Sequence, residues 1–274
     1  MGAKVVGLVV GSRKCGTTWL YDNFLEDPDI SVSRKVKESG FFARADDPDT
    51  GYYEGLFPES PGSRVEVDSS LAYSETAPAK ILAYNPHMKI ALILRDPVEY
   101  AVSRFVHMRR KDQLSPAGIL EVVMHDSVLG SELDYPAMVA RFGEFRRRGN
   151  LLLLPYSLLA ADPAAFYERV KLHLIGRSES GMRPKTDRIN ASRSSKSSTV
   201  TGLLSRAAIA ARRRRLHFVV NFAKSVGIHR LLEKPTDAGS VAAMRDSVAK
   251  AVVANHGASV ELYRQIENGL RDER

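Results

Sequence analysis

Hydrophobic residues follow two rhythms along this chain. Short apolar runs bounded by turn residues, such as Val5 to Val10, Ile90 to Leu94 and Leu151 to Leu154, alternate with longer stretches whose apolar positions recur at helical spacing. Unbroken apolar runs of that length suit strands covered on both faces, and helices between them suit the crossovers of a parallel sheet, so the pattern predicts an α/β fold. Strands are expected near Lys4–Val10, Ile30–Val32, Arg64–Val67, Lys89–Leu94 and Asn150–Pro155, with helices near Thr17–Glu26, Ala77–Tyr84, Val98–Arg110, Pro136–Arg147 and Pro163–Ile175. Asp96-Pro97 and Asp162-Pro163 read as helix starts, because Asp caps orphan N–H groups and Pro suits the first helical position. From Gly176 to Thr201 Ser, Arg and Lys displace apolar residues, which predicts a mobile surface segment. Beyond it, Leu203 to Val226 and Val241 to Leu270 read as helical. The whole of 1–274 is read as a single domain with a helical C-terminal part over 202–274.

Composition narrows the class. With 274 residues, 44% of them hydrophobic, the chain can bury a substantial core, which excludes a disordered or disulfide-scaffold protein. Lys and Arg total 40 against 32 Asp and Glu, a formal charge of +8, so nucleic acid, acidic lipid or a phosphate-rich small molecule is the expected kind of partner. One cysteine, Cys15, allows no intrachain disulfide, and no apolar run approaches a bilayer span. Val5 to Val10 is read as a buried first strand rather than a signal segment, since no small-residue cleavage site follows it. A cytoplasmic protein is the expectation.

In an open parallel sheet, ligands bind outside the carboxyl ends of the strands. The segments there are Gly11–Thr18, Asp68–Ser70, Arg95–Asp96 and Tyr156–Ser157, all expected on one rim. Gly11-Ser-Arg-Lys-Cys-Gly16-Thr17-Thr18 follows a strand and opens a helix, where backbone N–H groups and the helix dipole favour a phosphate; a plain tight turn is the competing reading. The glycine spacing matches a Walker A loop, yet Thr17 stands where that motif needs lysine, and the lysine lies inside the loop at Lys14. Such a loop suits an anionic group shorter than a triphosphate. Cys15 could be a thiolate at a helix start, but Tyr21 stands where a cysteine phosphatase needs arginine, so it reads as a small residue in a tight turn.

These residues resemble the 3′-phosphoadenosine-5′-phosphosulfate (PAPS) sulfotransferases, especially the branch with heparan-sulfate and bacterial members. Arg13-Lys-Cys-Gly-Thr-Thr-Trp-Leu-Tyr21 is similar to the family's 5′-phosphosulfate loop, and Leu94-Arg-Asp-Pro-Val-Glu-Tyr-Ala-Val-Ser-Arg-Phe105 to its 3′-phosphate segment. Between them Lys37-Glu-Ser-Gly-Phe-Phe42 resembles a Lys-Glu-x-x-Phe-Phe segment, and Val67-Asp-Ser-Ser-Leu-Ala-Tyr73 a diverged Ser-Pro-x-Tyr segment. Tyr156 to Gly176 and Ile189-Asn-Ala-Ser192 resemble the later family elements, so the likeness runs from about Lys4 to Leu204.

The resemblance implies a P-loop-like sheet with PAPS across its rim and PAP as the released product. Arg13, Lys14, Cys15, Gly16, Thr17, Thr18 and Trp19 would form the 5′-phosphate loop, with Lys14 neutralising charge on the leaving group. Arg95 and Ser103 would grip the 3′-phosphate, although Arg95 alone reads equally as a surface ion pair. Ser192, Arg193 and Lys196 would belong to a cationic lid over the cofactor within 176–201; a plain disordered loop is the alternative. Glu38 would be the base that takes the acceptor's proton, against the reading of an ordinary surface glutamate. His107, four residues after Ser103 on the same helix face, is a second catalytic candidate or else a packing histidine. Neither residue spacing nor the modest charge of a sulfuryl group calls for a metal, so none is expected.

Two other functions compete. A nucleotide or sugar kinase shares the sheet and glycine loop, and Val65-Glu-Val-Asp68 superficially resembles a Walker B strand. A non-enzymatic nucleic-acid or acidic-membrane binder could use Arg212 to Arg215, but no interleaved aromatics suggest base stacking, so a specific nucleic-acid partner is not expected. The acceptor, whether a glycan, glycolipid, natural product or small alcohol, and the oligomeric state are not legible.

Overall fold

The computed structural model describes residues 4–44, 49–110, 127–177, 181–185, 193–195, 233–235 and 238–272. They fall into two compact units, one of residues 1–96, 134–189 and 258–274, the other of residues 97–133 and 190–257. The helix expected over Leu203–Val226 lies outside the described residues.

The first unit is a five-stranded sheet, β1 (Gly7–Gly11), β2 (Ile30–Ser31), β3 (Ser63–Val67), β4 (Lys89–Leu94) and β5 (Leu151–Pro155), in the order β2-β3-β1-β4-β5. Every neighbouring pair is parallel, so the carboxyl ends of all five strands lie along one edge. All five residues of β1 are buried, as are Ile90 to Leu94 of β4. That accounts for their continuous apolar runs: central parallel strands are covered on both faces and have no polar side.

Helices supply the cover. α1 (Thr17–Phe24) buries Trp19, Leu20 and Phe24, and α9 (Pro163–Ile175) buries Phe166, Tyr167, Val170 and Leu174. At the start of α9 the Asp162 side chain accepts the Ala165 N–H at 2.9 Å, with Pro163 in the first turn, and Gly176 closes the helix at φ 71°. α3 (Ala77–Tyr84) buries Ala77, Ile81 and Tyr84. The helix expected over Pro136–Arg147 is two helices, α6 (Tyr135–Arg141) and α7 (Gly143–Arg147). Phe142 between them is fully buried and non-helical at φ −94°, ψ 18°, and the residue after it is Gly143, a poor helix former.

α2 (Thr50–Glu54), α5 (Ser127–Leu133) and α8 (Tyr156–Ala161) are additional. At five to seven residues each, they are too short for a helical period to emerge from the sequence.

The second unit holds α4 (Pro97–Arg110), α5, an antiparallel pair of β6 (Arg193–Ser195) and β7 (Glu233–Pro235), and the first part of α10 (Ala238–Asp272). α10 is broken at His256, φ −132° and ψ 34°. Arg104 of α4 is buried and donates from Nη2 to Glu132 Oε1 of α5 at 3.0 Å, and Tyr100 O–H reaches Glu132 Oε2 at 3.1 Å. That buried pair ties α4 to α5.

At the amino end of β2 a second buried ion cluster ties α9 to the sheet. Lys171 Nζ lies 2.8 Å from Asp27 Oδ2 and 2.6 Å from Asp29 Oδ2, while Tyr167 O–H donates to Asp27 Oδ2 at 2.7 Å. Removing the ammonium takes a cation from two carboxylates, one of them fully buried, and the Tyr167 hydroxyl on Asp27 replaces only part of it. Lys171→Met is therefore expected to lower the unfolding free energy by about 3–5 kcal/mol, read from urea denaturation. An unchanged midpoint would show that the cluster contributes nothing.

Candidate functional site

The turn from β1 to α1 is shaped by backbone that most residues resist. Gly11 lies at φ 153° and Gly16 at φ 79°; a Cβ on Gly11 would sit 2.7 Å from Ala72 Cβ, and one on Gly16 only 2.5 Å from Leu159 Cδ2. Lys14, with a side chain, also lies left-handed at φ 63°, a strain of roughly 1–2 kcal/mol. The surrounding bonds hold it. Ser12 donates both its N–H, at 2.7 Å, and its hydroxyl, at 2.9 Å, to Ile93 O of β4.

The start of α1 is open to an anion. Gly16 is the cap residue with no side-chain cap bond, and no acidic residue stands in the first turn. The α1 amino terminus thus keeps its positive dipole without a side chain of its own to neutralise it. Cys15 is fully buried, 2.9 Å from Ser12 Oγ, and burial pushes its thiol up to about 11 against the opposing Ser12 hydrogen bond and the charges of Arg95 and Lys14. It is a neutral packing residue at physiological pH, not a thiolate nucleophile.

Three cations converge on this rim. Arg95, one residue past β4, reaches Lys14 O with Nη1 at 3.4 Å, and its guanidinium lies 5.1 Å from the Tyr156 ring centroid. Its own carbonyl accepts the Tyr135 hydroxyl at 2.8 Å. Arg13 lies 4.6 Å over the Tyr73 ring, whose hydroxyl oxygen accepts the Arg13 N–H at 3.1 Å. Aromatic faces hold two guanidinium groups, and Lys14 lies between them in the chain.

The neighbouring segment, 37–42, is anchored from both ends. Phe41 and Phe42 are buried among Tyr53 and Tyr84, with Phe41 stacked on Tyr53 at 4.0 Å between centroids. Glu38 lies left-handed at φ 63°, and its Oε1 accepts Ser69 Oγ–H and Lys37 Nζ–H, both at 2.8 Å. Beneath it, Glu66 takes the Ser39 N–H at 3.0 Å and the Tyr53 O–H at 2.6 Å, and Asp68 Oδ2 takes the Gly40 N–H at 2.8 Å. Burial and then the nearby Asp68 charge push the Glu66 carboxyl up to about 7; burial also raises Asp68. Both acids of the Walker B look-alike are thus engaged in holding the backbone of the Glu38 segment.

Comparison with known proteins agrees with this geometry. The sulfotransferase domain model matches residues 7–178. The chain belongs to the sulfotransferase family. Among curated relatives, heparan sulfate glucosamine 3-O-sulfotransferase 6 of Mus musculus is 28% identical over 106 residues, 38% of this chain and 30% of its own length. The 3B1 enzyme of the same name from Homo sapiens is 28% identical over 106 residues, 38% of this chain and 27% of its own. The chain thus matches less than a third of the length of these relatives. A solved sulfotransferase from Alicyclobacillus acidocaldarius shares the fold, with TM-score 0.58, 22% identity, and coverage of 68% of this chain and 86% of that one.

Within this sulfotransferase domain the structure brings Arg13, Lys14, Cys15, Gly16, Thr17 and Thr18 into one turn, with Arg95 beside it. Trp19 points inward, its Nε1–H bonded to Lys185 O at 2.8 Å and its ring edge-on to Phe166 and Tyr167, so its contribution is to fix α1. Ser103 and His107 lie on α4, both half-buried, in the second unit. Arg193 lies in β6. Ser192, Lys196 and Arg212 to Arg215 lie outside the described residues. Tyr73, Tyr135 and Tyr156 were given no site role from sequence: Tyr73 ends the Val67–Tyr73 segment and Tyr156 opens a rim segment, but nothing local marks Tyr135, forty residues from the carbonyl it binds. Among the described residues no group of three His, Cys, Asp or Glu side chains is placed to hold a metal, and no helix is long and apolar enough to cross a membrane.

Gly16→Ala is expected to lower stability by about 1–3 kcal/mol in thermal unfolding, since a Cβ meets Leu159 and the φ is left-handed. Glu66 gives a pH signature. Because its folded value lies above the ordinary 4.5, the native state holds the proton longer than the unfolded chain, and stability falls as pH rises from about 4.5 to 7. Glu66→Gln should make that slope shallower in chemical denaturation, leaving the part due to Asp68; an identical slope would place the proton elsewhere.

Proposed function

We propose that this chain transfers the sulfuryl group of PAPS to a hydroxyl, less favourably an amine, of an acceptor such as a carbohydrate, glycolipid or natural product. The observation that carries the reading is the hydrogen bond from Arg95 Nη1 to the Lys14 main-chain carbonyl near the uncapped start of α1, which brings a second cation to the turn that holds the lysine shifted inside the glycine loop. The donor set fits a bisphosphorylated nucleotide: backbone N–H groups of the turn for the 5′-phosphate, a guanidinium fork for a second phosphate. Bound PAPS supplies an activated sulfuryl group with PAP as its leaving group.

The chain's own residues account for the rest. Gly16, Thr17 and Thr18 present the 5′-phosphate cradle, Lys14 neutralises negative charge as it develops on the leaving phosphate, and Arg95 takes the 3′-phosphate, a role the family resemblance also gives to Ser103. Glu38 accepts the acceptor's proton as the new sulfur–oxygen bond forms. His107, Ser192, Arg193 and Lys196 keep the roles the resemblance implies for them. The names of the curated relatives support a carbohydrate hydroxyl as the first acceptor class to try. The kinase reading has less support, since Thr17 replaces the Walker lysine and Glu66 and Asp68 are engaged in the fold.

PAP without magnesium is expected to raise the melting temperature, and ATP with magnesium to leave it unchanged; the reverse pattern would overturn the assignment. Arg95→Ala should weaken PAP binding about 10- to 100-fold by calorimetry, the worth of a charged hydrogen bond. Lys14→Ala should cut transfer of label from PAPS by about 100-fold or more with a smaller effect on PAP affinity. Glu38→Gln should cut transfer about 100- to 10,000-fold at nearly constant PAP affinity. Labelled-PAPS transfer against carbohydrate, glycolipid and small-alcohol pools identifies the acceptor class.

A further inference from the structure

The carboxyl end of β3 does more than line the rim. Alternate residues of a strand face the same side, and Glu66 and Asp68, two apart, both face the segment that carries Glu38. Each captures one of the two successive main-chain N–H groups that follow Glu38: Ser39 N–H goes to Glu66 and Gly40 N–H to Asp68. The other Asp68 oxygen takes the N–H and the hydroxyl of Ser70, at 3.0 and 2.6 Å, so Asp68 is itself locked in place. Between the two acids and the turn, Ser69 donates its hydroxyl to Glu38 Oε1.

Glu38 needs such support. Its side chain is 36% exposed, it has three torsions to fix, and its backbone is left-handed, as is that of Gly40 two residues on. A glutamate with that freedom loses roughly 1.5–2 kcal/mol of rotamer entropy when held in one geometry. A base acts only when it is within hydrogen-bond reach of the proton it removes, so whatever holds the carboxylate controls the rate.

We propose that Ser69 and Asp68 are positioning residues for the Glu38 carboxylate, Ser69 through its bond to Oε1 and Asp68 through the Gly40 N–H that sets the turn. The inference rests on the reading of Glu38 as the base. Neither residue touches the reacting atoms, and both act through Glu38. Lys37 shares Oε1 with Ser69, but it lies beside Glu38 in the chain. Ser69 lies in the turn two residues past β3, next to Asp68, whose N–H is bonded to Val9 O of β1 at 2.9 Å, and so ties the carboxylate to the end of the sheet.

The test uses the full chain with labelled PAPS and water as the acceptor, in single turnover with enzyme in excess. Here water's oxygen bonds to sulfur, the bond from sulfur to the 5′-phosphate oxygen breaks, Glu38 takes the proton and PAP leaves with the electron pair, giving sulfate. Ser69→Ala is expected to slow the release of labelled sulfate about tenfold with unchanged PAP affinity, and Ser69→Thr, which keeps the hydroxyl, to stay within about threefold. Asp68→Asn keeps one acceptor oxygen where the carboxylate uses both, so its loss should lie between those of Ser69→Thr and Asp68→Ala, and Asp68→Ala falls at least as far as Ser69→Ala.

The deciding measurement is the double variant. Adding Ser69→Ala to Glu38→Gln should slow release no further, because there is no longer a base to position. An equal loss in both backgrounds would show a merely structural role, and no loss in Ser69→Ala while Glu38→Gln is crippled would overturn the positioning alone. If Glu38→Gln releases sulfate at the native rate, the base assignment falls and takes this inference with it.

Discussion

Everything at the rim depends on holding a polar turn rigid where the buried central strand runs out. β1 is covered on both faces, so its end cannot move without opening the core, and the bonds from Ser12 to Ile93 transfer that rigidity to the turn. Only then does a left-handed lysine between two left-handed or extended glycines become tolerable. The strain at Lys14 is local, about the size of one or two hydrogen bonds, and it is outweighed by a sheet that would have to come apart to relieve it.

The same logic governs the buried charges. The cluster of Lys171, Asp27, Asp29 and Tyr167 and the pair Arg104–Glu132 are satisfied on several atoms, as a charge out of water must be. Each joins two elements that packing alone would leave free to slide. Glu66 and Asp68 differ in one respect. Their partners are mostly backbone N–H groups and hydroxyls rather than cations, which is why burial raises both carboxyls. Their value lies in geometry: short acceptors on a rigid strand dictate the path of a loop that has little helical or strand preference of its own.

Aromatic residues supply the third device. Tyr73 and Tyr156 lie under guanidinium groups, and Tyr135 ties down the backbone of Arg95. An arginine on a free side chain meets an anion only after losing its rotamer freedom, whereas one resting on a ring has lost part of it already. The rim is therefore partly organised by residues that carry no charge.

The sequence by itself determined the strands of the sheet, their parallel arrangement and the rim on which to look, because unbroken apolar runs and capped helix starts are local signals with one dominant structural meaning. It also marked Lys14 inside the glycine loop, while Glu38 and Arg95 were marked by the family resemblance of the segments that carry them. The order of the strands, the break at Phe142, the short helices α2, α5 and α8, and the brace from β3 to the Glu38 turn were decided only by tertiary structure. These depend on which surfaces meet across thirty to a hundred residues, as Ser69 meets Glu38 and Tyr135 meets Arg95. Contacts of that kind leave no period in the chain, since each partner is chosen by its place in the fold rather than by its neighbours in sequence.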